Sequence, residues 1–406
     1  ARMFNCGKAR LTIPSTSVAR SKAIVAGAAA CAGSRARAGA EEMLPAPRPA
    51  FTGRNVILIR FGGGARRRES IDPAHSFAPH LCRELIPRGT LFPRMEIAQL
   101  QGLNTSHGEG TLNLLTGRYD RYEDIHQGFL KARFEPKVPT LGEYLRREFD
   151  VAPHETLIIN GEDRPDEEFY TFSNHAGFGV NFRSNVLSLY RFKRWLFEQQ
   201  LAEGSLPPSL AAKRRAQLAR WEESDPRAIG RDTQGPRIEA FWRRWREFYG
   251  ETGLVNPRGD RLLTTLALRA LRELRPRFLM INYNDCDYVH WGHLNHYTSG
   301  IAIMDEGIRE LHAAIQADPD RRENTVLVIV PDCGRDSNPM AAVPCQHHFN
   351  SRSSREIFAL VTGPGVPRGE IVDRPCQQID VAPTIGRILG CQTPHTEGRV
   401  LAEAFA

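Results

Sequence analysis

The stretch Phe278-Leu-Met-Ile-Asn-Tyr283, running into Asn284-Asp-Cys-Asp-Tyr-Val-His-Trp-Gly-His-Leu-Asn-His296, decides how the rest of the chain is read. A short apolar run bounded by polar residues predicts a fully buried strand. The polar knot behind it carries Asp285, Asp287, His290, His293 and His296 in quick succession. Further on, Thr325-Val-Leu-Val-Ile-Val330 repeats the arrangement, ends in Pro331-Asp-Cys-Gly-Arg335, and is followed by His347 and His348. Two buried strands thus each deliver an aspartate at the C-terminal end. In an open parallel sheet that edge is where ligands and catalytic groups collect.

Outward from this stretch the same rhythm recurs. Asn55-Val-Ile-Leu-Ile-Arg60 and Thr156-Leu-Ile-Ile-Asn160 read as buried strands, and Ile357-Phe-Ala-Leu-Val-Thr362 as a later one. Residues 139–150, 261–275, 298–316 and 380–390 have helical apolar spacing, with Asp380 placed to cap the last. Alternation of strand and helix predicts an α/β fold: a three-layer sandwich with a mostly parallel central sheet and helices on both faces. The rhythm breaks over 161–260, read as a mainly helical insertion or cap. In it Phe241-Trp-Arg-Arg-Trp-Arg-Glu-Phe-Tyr249 puts aromatics on one stripe and arginines on the other. Such a stripe could grip nucleic acid or a membrane, but core packing with a solvated face is the reading we favour. The α/β domain is expected over 51–400. Residues 1–50 lie outside it, with the Pro-rich Leu44-Pro-Ala-Pro-Arg-Pro49 as a linker.

Composition excludes several classes. With 406 residues, 41% hydrophobic and 25% charged, the chain has the makeup of a soluble globular protein with a large core. The net charge of +7 comes mostly from dispersed arginines, which argues against a nucleic-acid footprint. Eight cysteines without a CxxC pair argue against a zinc ribbon and a dense disulfide scaffold. No apolar run reaches membrane-spanning length. Arg20-Ser-Lys22, the small-residue run Ala23 to Ala32, and Ala36-Arg-Ala38 have the order of an export signal, so a periplasmic or secreted location is expected, otherwise a cytoplasmic one.

Aspartate with histidine suits zinc, manganese or iron better than calcium. Asp287, His290, His293, Asp332, Cys333, His347 and His348 are therefore the candidate ligands. Adjacent histidines rarely bind one ion with both rings, so one of His347 and His348 is expected as ligand and the other beside it. Phe61-Gly-Gly-Gly64 lets the backbone turn tightly or approach something closely. Gly102-Leu-Asn-Thr-Ser-His107 opens a helix that closes at Leu114-Leu-Thr-Gly-Arg118. A hydroxyl at a helix N-terminus is well placed for a nucleophile, because the amides there stabilise negative charge. Thr105, Ser106 and Thr111 are available. On spacing alone, N-capping by Thr105 or Ser106 explains them as well.

In motif order the chain resembles the alkaline phosphatase superfamily, in particular its sulfatase and type I phosphodiesterase branch. Asn55-Val-Ile-Leu-Ile59 is similar to the opening strand and Thr105-Ser-His107 with Leu114-Leu-Thr-Gly-Arg-Tyr119 to the nucleophile helix. Asp287 with His290 or His293, Asp332 with Cys333, and His347 or His348 follow as its metal motifs, and Gly363-Pro-Gly-Val366 and Ile379-Asp-Val-Ala-Pro-Thr-Ile385 as its closing section. The resemblance implies a metal-dependent hydrolase of phosphate or sulfate esters. Its site would comprise Thr105, Ser106 and His107, one or two divalent ions (zinc foremost, manganese or calcium otherwise), and Arg60 and Arg118 toward the substrate. It implies a small anionic ester or a sulfated or phosphorylated glycan as partner. Two departures stand out. Gly62-Gly-Gly64 occupies the place of the first metal-binding aspartate, and Cys333 that of a histidine. They leave one metal half complete and the other reduced to Asp332 and Cys333. The same fold kept as a pseudoenzyme, binding an anionic glycan or a protein, is the alternative. Asp287, His290 or His293, and His347 or His348 are expected to converge.

Overall fold

A computed structural model describes residues 48–100, 105–120, 122–124, 134–161, 170–224, 234–252, 259–289, 293–338, 340, 345–347 and 351–406. Residues 1–47 lie outside them. The strands that build the main sheet are β1 (Asn55–Arg60), β2 (Gly89–Glu96), β3 (Thr156–Asn160), β4 (Asn185–Ser188), β5 (Phe278–Asn282), β6 (Thr325–Val330), β7 (Glu356–Thr362), β8 (Glu370–Ile371) and β9 (Cys376–Gln377). Their order is β8-β2-β7-β6-β1-β5-β3-β4, with β9 also on β2. The five strands β6, β1, β5, β3 and β4 run parallel to one another, and β7 runs antiparallel to both β6 and β2.

Alternation along β1 shows how the layers form. Val56 and Leu58 face one core, packed by α1 (His107–Thr116), α2 (Leu141–Glu148) and the C-terminal α8 (Val381–Leu389). Ile57 and Ile59 face the other, shared with α3 (Leu189–Glu203), α5 (Pro236–Tyr249), α6 (Asp260–Glu273) and α7 (Leu294–Ala317). Between α3 and α5 lies α4 (Pro208–Ser224). The protein is a three-layer α/β sandwich with a mostly parallel sheet. A strand buried on both faces needs apolar residues at every position, which is why β1, β5 and β6 read as unbroken runs. In the 161–260 region Phe192, Trp195, Phe241, Trp242 and Trp245 are buried in the same core as Ile57 and Ile59, while Arg243 and Arg244 are exposed. The aromatic stripe packs the sheet and the arginines meet solvent.

Three details differ from the sequence expectation. Strand β4 lies within 161–260 yet pairs in parallel with β3, so this part of the expected helical insertion belongs to the main sheet. Strand β2 was not expected, because Pro93 interrupts it; the pairing with β7 shifts register between Phe92 and Met95, where the missing N–H falls. Asp380 does not cap α8 with its side chain. Its carboxylate instead accepts from the amides of Gln377 (2.9 Å) and Arg399 (2.8 Å), tying the C-terminal segment to the turn before the helix.

What matters for the site is register. Arg60 lies level with Asn282 on one side and Val330 on the other, so the loops after β1, β5 and β6 leave the sheet together.

Candidate active site

The three loops are held against one another by backbone contact. Gly63 has φ of +78°, and a Cβ there would lie 2.3 Å from the Asp287 amide nitrogen. The glycine run therefore serves close approach, as its sequence suggested, and the Gly64 amide donates to Asp332 Oδ1 (3.2 Å). Arg335 clamps the assembly from below. Fully buried, it donates to the carbonyls of Gly64 (2.9 Å), Val289 (2.9 Å) and Cys286 (2.5 Å), and to those of Gly63 and Cys345. One guanidinium thus joins the glycine loop, the Asp287 loop and the segment leading to His347. Its geometry depends on loops distant in sequence, so a motif reading could quote Arg335 without seeing this role.

Helix α1 points its N-terminus at these loops. Ser106 is its N-cap, accepting from the Glu109 amide (3.3 Å) while its hydroxyl donates to Glu109 Oε2 (2.8 Å). His107 is the first helical residue. Its Nδ1 lies 2.7 Å from Asp332 Oδ2 and its Nε2 2.6 Å from Asp287 Oδ1, so the imidazole bridges the two aspartates that end the sheet strands. Burial opposes a charge on the ring, but the two carboxylates outweigh it and raise the His107 pKa well above the ordinary histidine value. Helix α1 can approach because Gly110 has no side chain: a Cβ there would lie 2.3 Å from the Asp332 carbonyl oxygen.

Asp332 is fully buried and saturated with partners. Besides His107 and Gly64, it accepts from the Cys333 amide (2.8 Å) and lies 3.5 Å from the Arg60 guanidinium. Burial works against its charge, yet His107 and Arg60 hold the carboxyl well below its usual value. Arg60 also donates to Thr111 Oγ1 (2.8 Å), the Tyr283 carbonyl (3.2 Å) and Asn284 Oδ1 (3.3 Å).

His347 completes the cluster. Its Nδ1 is 2.7 Å from the Thr105 carbonyl, and the Thr105 hydroxyl donates back to the His347 carbonyl. A Nδ1–H held on a carbonyl leaves Nε2 as the nitrogen that can bind a metal, the usual support of a ligating histidine. That Nε2 lies 3.6 Å from Asp287 Oδ1. Cys333 Sγ is 3.9 Å from His107 Nδ1, and burial, with Asp332 beside it, pushes its thiol pKa up to about 11. One donor atom each from His107, Cys333 and His347 lie within 4.8 Å of one another. Two imidazoles and a sulfur, with the Asp287 carboxylate beside them, fit one borderline-soft divalent ion. A second ion finds no comparable group among the described residues, and Arg60 already supplies the positive charge at Asp332.

Of the residues expected from sequence, the fold brings together His107, Asp287, Asp332, Cys333 and His347. His290 and His348 lie outside the described residues. His293 is exposed at the start of α7, its ring 5.3 Å from that of His296, and it does not join the cluster. Arg60, expected at the substrate, is fully buried and acts on Asp332 instead. Arg118 sits past the far end of α1, paired with Asp120 (3.2 Å) and Glu397, so it does not reach the site either. Among the hydroxyls, Thr111 is spent on the His107 carbonyl (2.7 Å) and Arg60, and Thr105 on His347. Ser106 alone is half-buried and paired with a carboxylate. Glu109 escaped the sequence reading, although Ser-x-x-Glu spacing is a signal that can find it.

No family model matches the sequence, and no curated protein matches it. Solved structures do. A protein in the alkaline phosphatase superfamily from Vibrio parahaemolyticus is similar with a TM-score of 0.53, at 13% identity over 88% of this chain and 71% of that one. The protein Ps i-CgsB, in complex with a neocarrahexaose, gives a TM-score of 0.50 at 14% identity, covering 86% of this chain and 75% of that one. A phosphonate monoester hydrolase of Agrobacterium radiobacter gives 0.50 at 13% identity, covering 87% and 77%. The chain has the fold of the alkaline phosphatase superfamily.

Proposed function

We propose that the chain hydrolyses phosphate or sulfate esters with the help of one divalent ion. The observation that supports this is the meeting of His107, Asp287, Asp332, Cys333 and His347 at the C-terminal sheet edge, under the N-terminus of α1, in a fold shared with a phosphonate monoester hydrolase. His107, Cys333 and His347, with Asp287, would hold the ion, zinc by donor type. A bound ion there supplies positive charge to the oxygens of the transferring group and lowers the pKa of an oxygen nucleophile.

The remaining chemistry belongs to the chain. Ser106 is the nucleophile in this reading, because the other two hydroxyls are committed to the protein. Glu109, hydrogen-bonded to the Ser106 hydroxyl, accepts its proton as the oxygen attacks phosphorus or sulfur and the bond to the ester oxygen breaks; the alcohol or phenol leaves with that proton, and water then hydrolyses the seryl ester to release phosphate or sulfate and restore Ser106. The α1 amides and dipole stabilise the negative charge that grows on the transferring group. Asp332, neutralised by Arg60, holds the His107 ring in place. A small aryl ester or a sulfated or phosphorylated glycan is the substrate class, and export fits the order of the N-terminal leader.

A panel of aryl phosphates and aryl sulfates offered to the zinc-loaded chain tests this. Turnover should fall at least a hundredfold in both Ser106→Ala and Glu109→Gln; turnover unchanged in both removes Ser106 as nucleophile. One observation favours the pseudoenzyme alternative. Both His107 nitrogens and both Asp332 oxygens already have protein partners, so the cluster can stand as a self-neutralised structural knot. Absence of turnover together with absence of bound metal would select it.

A further inference from the structure

The edge of the sheet opposite His107 carries a cavity of about 590 Å³. It opens where β6 begins at Thr325 and antiparallel β7 ends at Thr362, so the length of β6, roughly 16 Å, separates it from the Asp332 loop. The volume is that of a small-molecule site.

Its wall is basic and its floor apolar. Arg88, Arg322 and Arg368 line it against the single carboxylate of Glu323, three positive charges to one negative. Arg88 reaches Glu84 (2.8 Å) and Arg322 reaches Glu323 (3.0 Å). Arg368 is exposed and has no ion-pair partner among the described residues. His312 stands beside them as a neutral ring, its pKa lowered by burial and by Arg88. Leu327 and Val366, both buried, form the floor.

A second observation is independent of the charges. Thr325 lines the cavity, is 2% exposed, and its hydroxyl has no hydrogen-bond partner. A buried polar group left unsatisfied is costly and calls for an explanation. An acceptor seated in the cavity supplies one.

We propose that this cavity is a second, non-catalytic site that binds a small organic phosphate or sulfate. The anionic head lies among Arg88, Arg322 and Arg368, with one oxygen able to take the Thr325 hydroxyl, and the apolar body rests on Leu327 and Val366. Charge-assisted bonds from guanidinium to a phosphate or sulfate are the strong kind. The site stands whether or not the chain is a hydrolase.

The test is a calorimetric titration of the full chain with phenylphosphonate, which carries a dianionic head on a ring and no ester bond to cleave. The expected result is a binding event weakened at least tenfold in Arg368→Ala and in Arg88→Ala. The same event should weaken several-fold in Thr325→Val, although that variant unfolds at the same temperature as the parent or higher because it removes an unsatisfied hydroxyl. The event should be unchanged in the chain stripped of metal by a chelator, which separates it from binding at the proposed catalytic edge. Absence of any event sensitive to Arg368 and Arg88 overturns the proposal, as does inorganic phosphate binding as tightly as phenylphosphonate, since the floor would then contribute nothing.

Discussion

Replacing Arg60 by methionine probes the part of the site in which the protein itself provides a cation. The guanidinium and the Asp332 carboxylate are both fully buried and 3.5 Å apart. At an effective dielectric constant near 20 their attraction is worth about 5 kcal/mol before desolvation is counted. Removing one partner of a buried pair destabilises by about 3–5 kcal/mol, because the other charge is left uncompensated. His107 still neutralises part of Asp332, so the lower half of that range is expected for Arg60→Met. Methionine keeps the length and apolar stem, which limits the cavity contribution. Urea unfolding of Arg60→Met, Asp332→Asn and the double variant, read at constant m-value, gives the coupling. We expect the double variant to be more stable than the sum of the singles predicts by about 2 kcal/mol or more, the range seen for coupled neighbours. Additivity within about 0.5 kcal/mol would refute the claim that Arg60 stands in for a second ion at Asp332. Acid unfolding provides a second reading. The Asp332 carboxyl is held below its ordinary value of 3.8 in the folded chain, so its contribution is present above that pH and is lost as the pH falls further. The double variant should therefore lose less stability over that acid window than the parent chain.

Further outcomes follow from single contacts. Gly110→Ala puts a methyl 2.3 Å from the Asp332 carbonyl and should push α1 off the sheet edge; calorimetry should show a loss on the order of 2 kcal/mol or more, together with weaker metal binding. Cys333→Ser should weaken zinc retention against a chelator at least tenfold and abolish the thiolate-to-metal absorption of the cobalt-substituted chain. Arg118→Ala, at the far end of α1, should leave turnover within about twofold of the parent while costing at most about 1 kcal/mol of stability, as for other partly exposed pairs.

How far these features could be read in the sequence depended on whether their cause was local. Strands 55–60, 156–160 and 325–330 were legible to the residue, because burial on both faces demands an unbroken apolar run. Asp287 and Asp332 were legible as a pair, since the end of a buried parallel strand fixes where its next residues go. Strand 89–96 was hidden by Pro93, which a register shift accommodates. His293 was drawn to the metal by its neighbours in sequence, but it stands exposed just before the first turn of α7, its ring 5.3 Å from that of His296. Arg60 was drawn to the substrate by charge alone. Its neighbours Thr111, Tyr283 and Asn284 come from other parts of the chain, and only tertiary packing reveals that they enclose it. The bridging of two aspartates by His107 likewise joins residues far apart in sequence.

The proposed ester hydrolase site at this edge of the sheet is built on one ion and on Asp287 beside it. Turnover of an aryl phosphate and an aryl sulfate by the zinc-loaded chain, measured beside Asp287→Asn, tests it most directly. The parent chain, holding one equivalent of metal, should hydrolyse at least one of the two, and the variant should lose at least a hundredfold of that rate. Hydrolysis of neither ester by a chain shown to hold its metal, or equal rates with and without the Asp287 carboxylate, would contradict that proposal.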